Sequence, residues 1–347
     1  MVRTFPFVLG LFVIGCSGTS VEQDTTTPPQ PDELSRSLLD VEQRIVRDPK
    51  DASLYAERAR LYRSADSSRQ AINDWIRALS IDSTNASYHA ELGDLYYTKL
   101  MVDLARERFE KAMELDPEAV SPKLKMAEVE LVLRNYGSAL DLVNAALRID
   151  PNLAEAYYLK GWTFKEAGDT ALAISSYRTA VEQDPDHYNA FIQLGLLHAA
   201  QHDDLAIQYY RSALEIRPQS VEANYNLGIF AQDHGLDSLA ISCYERITAI
   251  DPGNAAAPYN TGWIHLKRLK EFRKAEQYFT QALDLNTNYY QAWYNRGLAM
   301  EQLGKLDSAA ADMQVALLIR PDFDLAAEAL GRLYDKGAYV KEFERDR

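Results

Sequence analysis

Few side chains in this sequence are placed to do chemistry. His198 and His202 stand four residues apart and run into Asp203 and Asp204, a spacing that can bring nitrogen and oxygen ligands together on one helix face. Yet His198 lies one period after Phe164, at a packing position, and His202 falls at a turn. We expect structural roles for both and no bound metal. His89, His187, His234 and His265 form no cluster, and Cys243, just before Tyr244, reads as a structural thiol. GxxxxGK[ST], HExxH, CxxC and GxSxG are all missing, so the commoner phosphate, zinc and nucleophile chemistries have no motif here. No catalytic residue, cofactor or enzymatic activity is expected, and a small-molecule ligand is not indicated. What remains is recognition. Asn226, Asn260 and Asn295 recur at intervals of 34 and 35 residues and are preceded by Gln193, and each carboxamide offers both a donor and an acceptor. Around them stand Tyr158, Trp162, Tyr225, Tyr259, Trp263 and Tyr294, side chains that supply large contact area at little entropic cost.

These residues sit in a chain that repeats itself. Ala71, Ala105, Ala139, Ala173, Ala206, Ala240, Ala275 and Ala309 follow one another at intervals of 34, 34, 34, 33, 34, 35 and 34 residues. A Gly or Ala stands eleven to thirteen residues before each, from Ala59, Gly93 and Ala127 to Gly262 and Gly297, and a bulky residue four after: Trp75, Phe109, Val143, Tyr177, Tyr210, Tyr244, Phe279 and Met313. Prolines close most units, at Pro117, Pro151, Pro185, Pro218, Pro252 and Pro321. Within a unit the apolar residues keep three- and four-residue spacing, as in Ala105, Phe109, Ala112 and Met113, which is the helical period. Each unit is therefore a helix, a turn, a second helix and a linker. The small residues let two helices approach closely, the bulky one fills the remaining gap, and proline stops the second helix. A period of this length is the mark of a solenoid, whose units bury their apolar faces only against their neighbours.

The order of small, small, bulky, small and proline positions resembles the tetratricopeptide repeat family. Residues 154–187 carry it at Tyr157, Gly161, Phe164, Ala173, Tyr177, Ala180 and Pro185. Eight such units tile the chain at 52–85, 86–119, 120–153, 154–187, 188–220, 221–254, 255–289 and 290–323. The resemblance implies an all-α fold, a right-handed α-solenoid or superhelix of eight helix-turn-helix repeats with capping helices. Residues 33–51 are expected to form the amino-terminal cap, and 324–347 the carboxyl-terminal cap with its charged tail. Departures are local: Lys160 stands where the family prefers leucine, the fifth unit lacks one turn residue, and the seventh has one extra near Lys270. They should alter turns and leave the fold intact.

The resemblance also implies that the first helix of each unit lines a concave groove. Tyr158, Trp162, Gln193, Tyr225, Asn226, Tyr259, Asn260, Trp263, Tyr294 and Asn295 fall on its ligand-facing positions, so the amides of successive units should stack into a row able to bond an extended peptide. Tyr and Asn are also common family residues there, and both readings stand. Units one to three carry a mixed charged surface instead, with Ala56, Glu57, Arg60, Ala90, Glu91, Asp94, Leu124, Lys125 and Glu128. The basic clamp by which some members hold a peptide carboxyl terminus lacks its full set of lysines and asparagines. Asp24-Thr25-Thr26, Asp82-Ser83-Thr84, Asp169-Thr170-Ala171, Asp237-Ser238-Leu239 and Asp307-Ser308-Ala309 resemble an O-glycosylation sequon of one group of Gram-negative bacteria, but helix capping by Asp, Ser and Thr is the favoured reading.

The amino terminus suggests a location. Arg3 precedes an apolar run from Phe5 to Gly15, too short to span a bilayer and matching a signal-peptide core. It ends in Val13-Ile14-Gly15-Cys16, which resembles the lipobox of bacterial lipoproteins. Residues 1–15 would then be a signal peptide, Cys16 the lipidation site, and 16–32, poor in apolar residues and holding three prolines, a disordered tether. By resemblance this places the chain in the cell envelope, lipid-anchored and most simply at the outer membrane, with membrane contact through its amino-terminal lipid. The 37 basic against 51 acidic residues give a formal net charge of −14, which argues against nucleic acid as a partner. The expected function is a scaffold that binds an envelope protein or peptide segment in its groove for assembly or secretion. The alternative is glycan or peptidoglycan binding, since Tyr and Trp also stack on sugar rings.

Overall fold

The structure, a computed structural model, describes residues 33–340. The signal core, Cys16, the tether, Asp24-Thr25-Thr26 and the tail 341–347 lie outside the described residues. Every regular element among those described is helical, and they fall into two compact units, one ending at Ser83 and one beginning at Thr84.

The first unit holds α1 (Glu33–Arg47), α2 (Ala52–Ser64) and α3 (Ser68–Ile81). Asp51 caps α2, its carboxylate accepting the Ser53 amide at 2.8 Å. Ala59, Ala71, Trp75 and Ala78 are all fully buried. α1 buries only Val41 completely. A feature not visible in the period sits between α2 and α3: Arg58 grips the buried Asp74 with Nε and Nη2, both at 2.7 Å.

The second unit is an α-solenoid. Its elements are α4 (Ala86–Thr98), α5 (Val102–Leu115), α6 (Val120–Val132), α7 (Tyr136–Ile149), α8 (Ala154–Glu166), α9 (Thr170–Gln183), α10 (Tyr188–Ala200), α11 (Leu205–Ile216), α12 (Val221–Asp233), α13 (Asp237–Ile250), α14 (Ala256–Ile264), α15 (Phe272–Leu285), α16 (Tyr290–Gln302), α17 (Leu306–Ile319) and α18 (Asp324–Asp335). Each even-numbered helix packs chiefly on the one that follows. Even-numbered helices also meet one another, α4 with α6, α6 with α8, and α10 with α12, so they form the inner layer.

Steric fit holds the pairs together. The marker alanines from Ala105 to Ala309 are all fully buried. On Gly161 an added Cβ would stand 2.7 Å from the Tyr177 ring, on Gly93 2.8 Å from Phe109, and on Gly297 2.8 Å from Met313. The glycine is thus the socket for the bulky residue of the next helix. A fully buried side chain of that size contributes about 2–3 kcal/mol.

Turns repeat as strictly as the core. Leu100, Arg134, His202 and Lys270 adopt positive φ of 60°, 62°, 55° and 58°, and Gly168, Gly235, Gly304 and Gly337 occupy the same place in the other turns of this unit. One left-handed residue after the first helix lets the next amide reach back five residues, as Asp169 N does to Phe164 O at 2.8 Å, so that an orphan carbonyl is satisfied. At the end of the second helix an Asp or Asn beside the proline position closes an Asx turn: Asp116 accepts from Glu118 N at 3.1 Å, Asp150 from Asn152 N at 3.0 Å, and Asp184 from Asp186 N at 3.0 Å.

The irregular repeats change turns as expected, each in its own way. The extra residue of the seventh unit is absorbed as a π-helical turn, His265–Leu269, continuous with α14 and ending on left-handed Lys270. Such turns are the usual accommodation of a single inserted residue. The missing residue of the fifth unit is taken from the start of α11, which has 12 residues where α9 has 14. Capping is realised at only one of the three sequons of this unit that begin second helices: Asp169 accepts the Leu172 amide at 3.0 Å. Asp237 lies inside α13 and faces Arg268 at 3.4 Å, while Asp307 accepts the Tyr339 amide at 2.8 Å.

Candidate partner-binding groove

The expected contact residues all lie on inner-layer helices, α8, α10, α12, α14 and α16. They are not equally available. On α8, Tyr158 and Trp162 are half-buried against the cores on both sides of their helix. The Tyr158 ring lies 5.6 Å from Tyr177 and 4.9 Å from His187, and burial pushes its phenol up to about 12. Both residues present one edge to the groove and spend the rest on packing. Gln193 on α10 is bridged to the preceding repeat, its Oε1 accepting from Lys165 Nζ at 3.2 Å.

The centre is more open. Tyr225 on α12 is 40% exposed, the freest aromatic of the set. Asn226 beside it and Asn260 on α14 are half-buried, and neither carboxamide has a hydrogen-bond partner among the described residues. Trp263, one turn beyond Asn260, packs part of its indole against Phe279 and Leu266 and leaves the remainder at the surface.

Beyond α14 the row turns inward. Asn295 is 6% exposed, and its Nδ2 donates to the Tyr259 hydroxyl at 3.1 Å. Tyr259 stacks on Tyr289 at 4.6 Å, and burial raises its phenol pKa. Tyr294 packs edge-on to Phe323 at 5.0 Å. Asn295 therefore fixes Tyr259 and does not continue an accessible amide row: the free amides narrow to Asn226 and Asn260, with Tyr225 and Trp263 beside them. A carboxamide placed to bond a side chain of the preceding repeat cannot be told from a solvent-facing one by its period.

Charge replaces aromatics toward the start of this unit. Lys125 Nζ lies 2.9 Å from Glu128 and 3.8 Å from Asp94. Burial opposes the Lys125 charge, but the two carboxylates outweigh it and its pKa rises. Burial also lifts Glu128, and Lys125 offsets that only in part. In the first unit Glu57 is held by Arg44 in two bonds of 2.9 Å, and the Arg60 guanidinium lies over Trp75 at 5.3 Å.

The histidines are committed elsewhere. His198 is buried, its Nδ1 lies 2.8 Å from Asp203 and its ring 5.1 Å from Tyr209. His202 is an exposed turn residue. The same clasp recurs between His265 and Glu271 at 2.8 Å. Cys243 is buried in α13, and burial pushes its thiol up to about 11, which removes the thiolate needed for reactivity at neutral pH.

Sequence reading singled out Lys160 at the leucine position of the first helix but missed Arg58 and Arg296 in the same register. Arg58 and Arg296 each bond an aspartate sixteen residues later: Arg296 Nε and Nη2 meet Asp312 at 2.8 and 2.9 Å. Lys160, in the same register, has Ser176 at that distance and turns to Asn144 at 3.0 Å. The paired spacing was the available signal.

The tetratricopeptide repeat sequence model matches residues 91–154, 158–221 and 259–322, more than half of the chain. Protein FlbA of Caulobacter vibrioides is 26% identical over 215 residues, 61% of this chain and 36% of its own length. A DnaJ protein P58IPK homologue of Arabidopsis thaliana is 24% identical over 322 residues, 86% of this chain and 61% of its own. The chain thus spans less than two thirds of these relatives. Among solved structures, YrrB, described as a TPR protein with an unusual peptide-binding site, is 26% identical, with a TM-score of 0.46 over 57% of this chain and 99% of its own.

Proposed function

The chain belongs to the tetratricopeptide repeat family, and from that premise we propose that it is a lipid-anchored scaffold whose inner surface holds an extended segment of a protein partner. The observation that carries this reading is the pair of half-buried, unbonded carboxamides Asn226 and Asn260 beside exposed Tyr225. A carboxamide at a partly desolvated surface gains a donor and an acceptor bond when a peptide backbone arrives. Main-chain bonding of this kind accepts many sequences, and Tyr225 and Trp263 add apolar contact. Anchoring is proposed through Cys16, with the chain in the cell envelope at the outer membrane and the tether 16–32 holding the repeats off the bilayer. Two anchoring signals or more are needed for stable attachment, which diacylation at one cysteine supplies.

The test places a photo-crosslinker at Tyr225 in the full chain, in cells. One partner is expected, with its crosslinks confined to one extended segment. The Asn226→Ala/Asn260→Ala/Trp263→Ala variant should lower capture by roughly tenfold or more while its melting curve shows an intact fold. Capture equal to that of the unsubstituted protein discards the groove reading, and capture of free glycan strands in place of protein transfers the site to sugars. Cys16→Ala should release the protein from the membrane fraction; a protein that stays membrane-bound refutes the anchor.

A further inference from the structure

The π-helical turn borders a cleft of about 480 Å³ lined by Leu266, Lys267, Lys270, Phe272, Leu298, Glu301, Gln302, Arg332 and Lys336. Its charge is opposite to that of the molecule. Four cationic side chains face one carboxylate, in a chain whose formal net charge is −14. Glu301 serves two of the four: Arg332 donates to both of its oxygens at 3.2 Å, and Lys336 Nζ to one at 2.8 Å. Its side chain is only 5% exposed, and although burial works against its charge, Arg332 and Lys336 outweigh that and lower its pKa. Lys267 and Lys270 have no ion-pair partner among the described residues.

We infer that this cleft binds an acidic peptide segment, with Lys267 and Lys270 as the cations a partner's carboxylates neutralise and the half-buried Phe272 and Leu298 as its apolar contacts.

Charge complementarity favours this occupant. The π-turn, α16 and α18 all end at the cleft, and helix-dipole compensation accounts for one basic residue at each such end. Glu301 takes up Arg332 and Lys336, which leaves Lys267 and Lys270 for a partner's carboxylates. Lys267 is held below the ordinary lysine range by burial first and by Lys270 second. The cleft also continues the inner layer of the groove, since it is built from the ends of α14, α16 and α18. The site stands independently of Asn226, Asn260 and Trp263.

The experiment measures fluorescence anisotropy of a labelled peptide of alternating glutamate and alanine against the full chain, with the glutamine counterpart as control. The glutamate peptide should bind and weaken with salt. Lys267→Gln/Lys270→Gln should weaken it by about tenfold. Arg211→Gln/Arg246→Gln, which removes the same charge from a different cleft on α11 and α13, should leave affinity unchanged. Equal binding of the glutamine peptide, an equal loss in the Arg211/Arg246 variant, or tighter binding of pyrophosphate than of the peptide would each overturn the inference. Both double variants alter exposed side chains, and their melting curves report whether the fold is retained.

Discussion

Gly161 and Gly331 hold the same position of the first helix, yet a methyl group has opposite consequences at the two. At Gly161 it would press on three atoms of the Tyr177 ring at 2.7–2.9 Å, and the ring is fully buried between Ala173 and Ala180. Neither partner can withdraw. Gly161→Ala should destabilise by about 1–3 kcal/mol, as overpacking of a filled core does. At Gly331 nothing lies within 4 Å, because α18 has no second helix to receive. Gly331→Ala should instead stabilise by up to about 1 kcal/mol through helix propensity. Urea titration of both variants checks the pair, and a loss at both positions would refute the socket account. The socket was legible in the sequence because it is steric and local: a small residue and a large one at fixed spacing. The burial of Asn295 was not, because its partner Tyr259 comes from the preceding repeat and no periodicity states which way a carboxamide is turned.

At the scale of elements, the turns explain why insertions are tolerated. Every turn needs one residue with positive φ after the first helix, and where Leu100 and Arg134 supply it the cost is about 1 kcal/mol of backbone strain. The chain meets it because the reverse bonds are made regardless, Met101 N to Tyr96 O at 2.9 Å and Asn135 N to Glu130 O at 2.8 Å. Leu100→Gly, at a side chain 84% exposed, should therefore raise stability by roughly 0.5–1 kcal/mol, read as a higher denaturation midpoint with unchanged slope. An unchanged or lower midpoint would mean the left-handed residue carries no strain. The sequence places a turn in every unit but does not say which of its residues turns left-handed. Lys270 was visible as an insertion but not as the end of a π-turn, because the choice between a longer loop and a wider helical turn depends on the His265–Glu271 clasp as much as on residue count.

For the molecule as a whole, the period established the solenoid because stacking is the only way such units bury their apolar faces. It says less about how firmly each end is held. In a repeat array stability is a sum of unit and neighbour terms, so a local defect should stay local if it lies near an end. Asp312 on α17 offers the test within the second unit. It is 5% exposed and bonded twice by Arg296, which also reaches Thr280 at 3.1 Å and lies over Trp293 at 4.6 Å. The pair joins α15, α16 and α17 where only α18 follows. Asp312→Ala leaves the guanidinium half-interred without its counter-charge, a loss of about 3–5 kcal/mol for a buried pair broken on one side. Amide hydrogen exchange should then accelerate across α16, α17 and α18 while α4 to α9 keep their protection. Acceleration spread evenly over the unit would show that it unfolds as one body, and would mean that the last repeats draw stability from the whole stack and not from the clasp beside them.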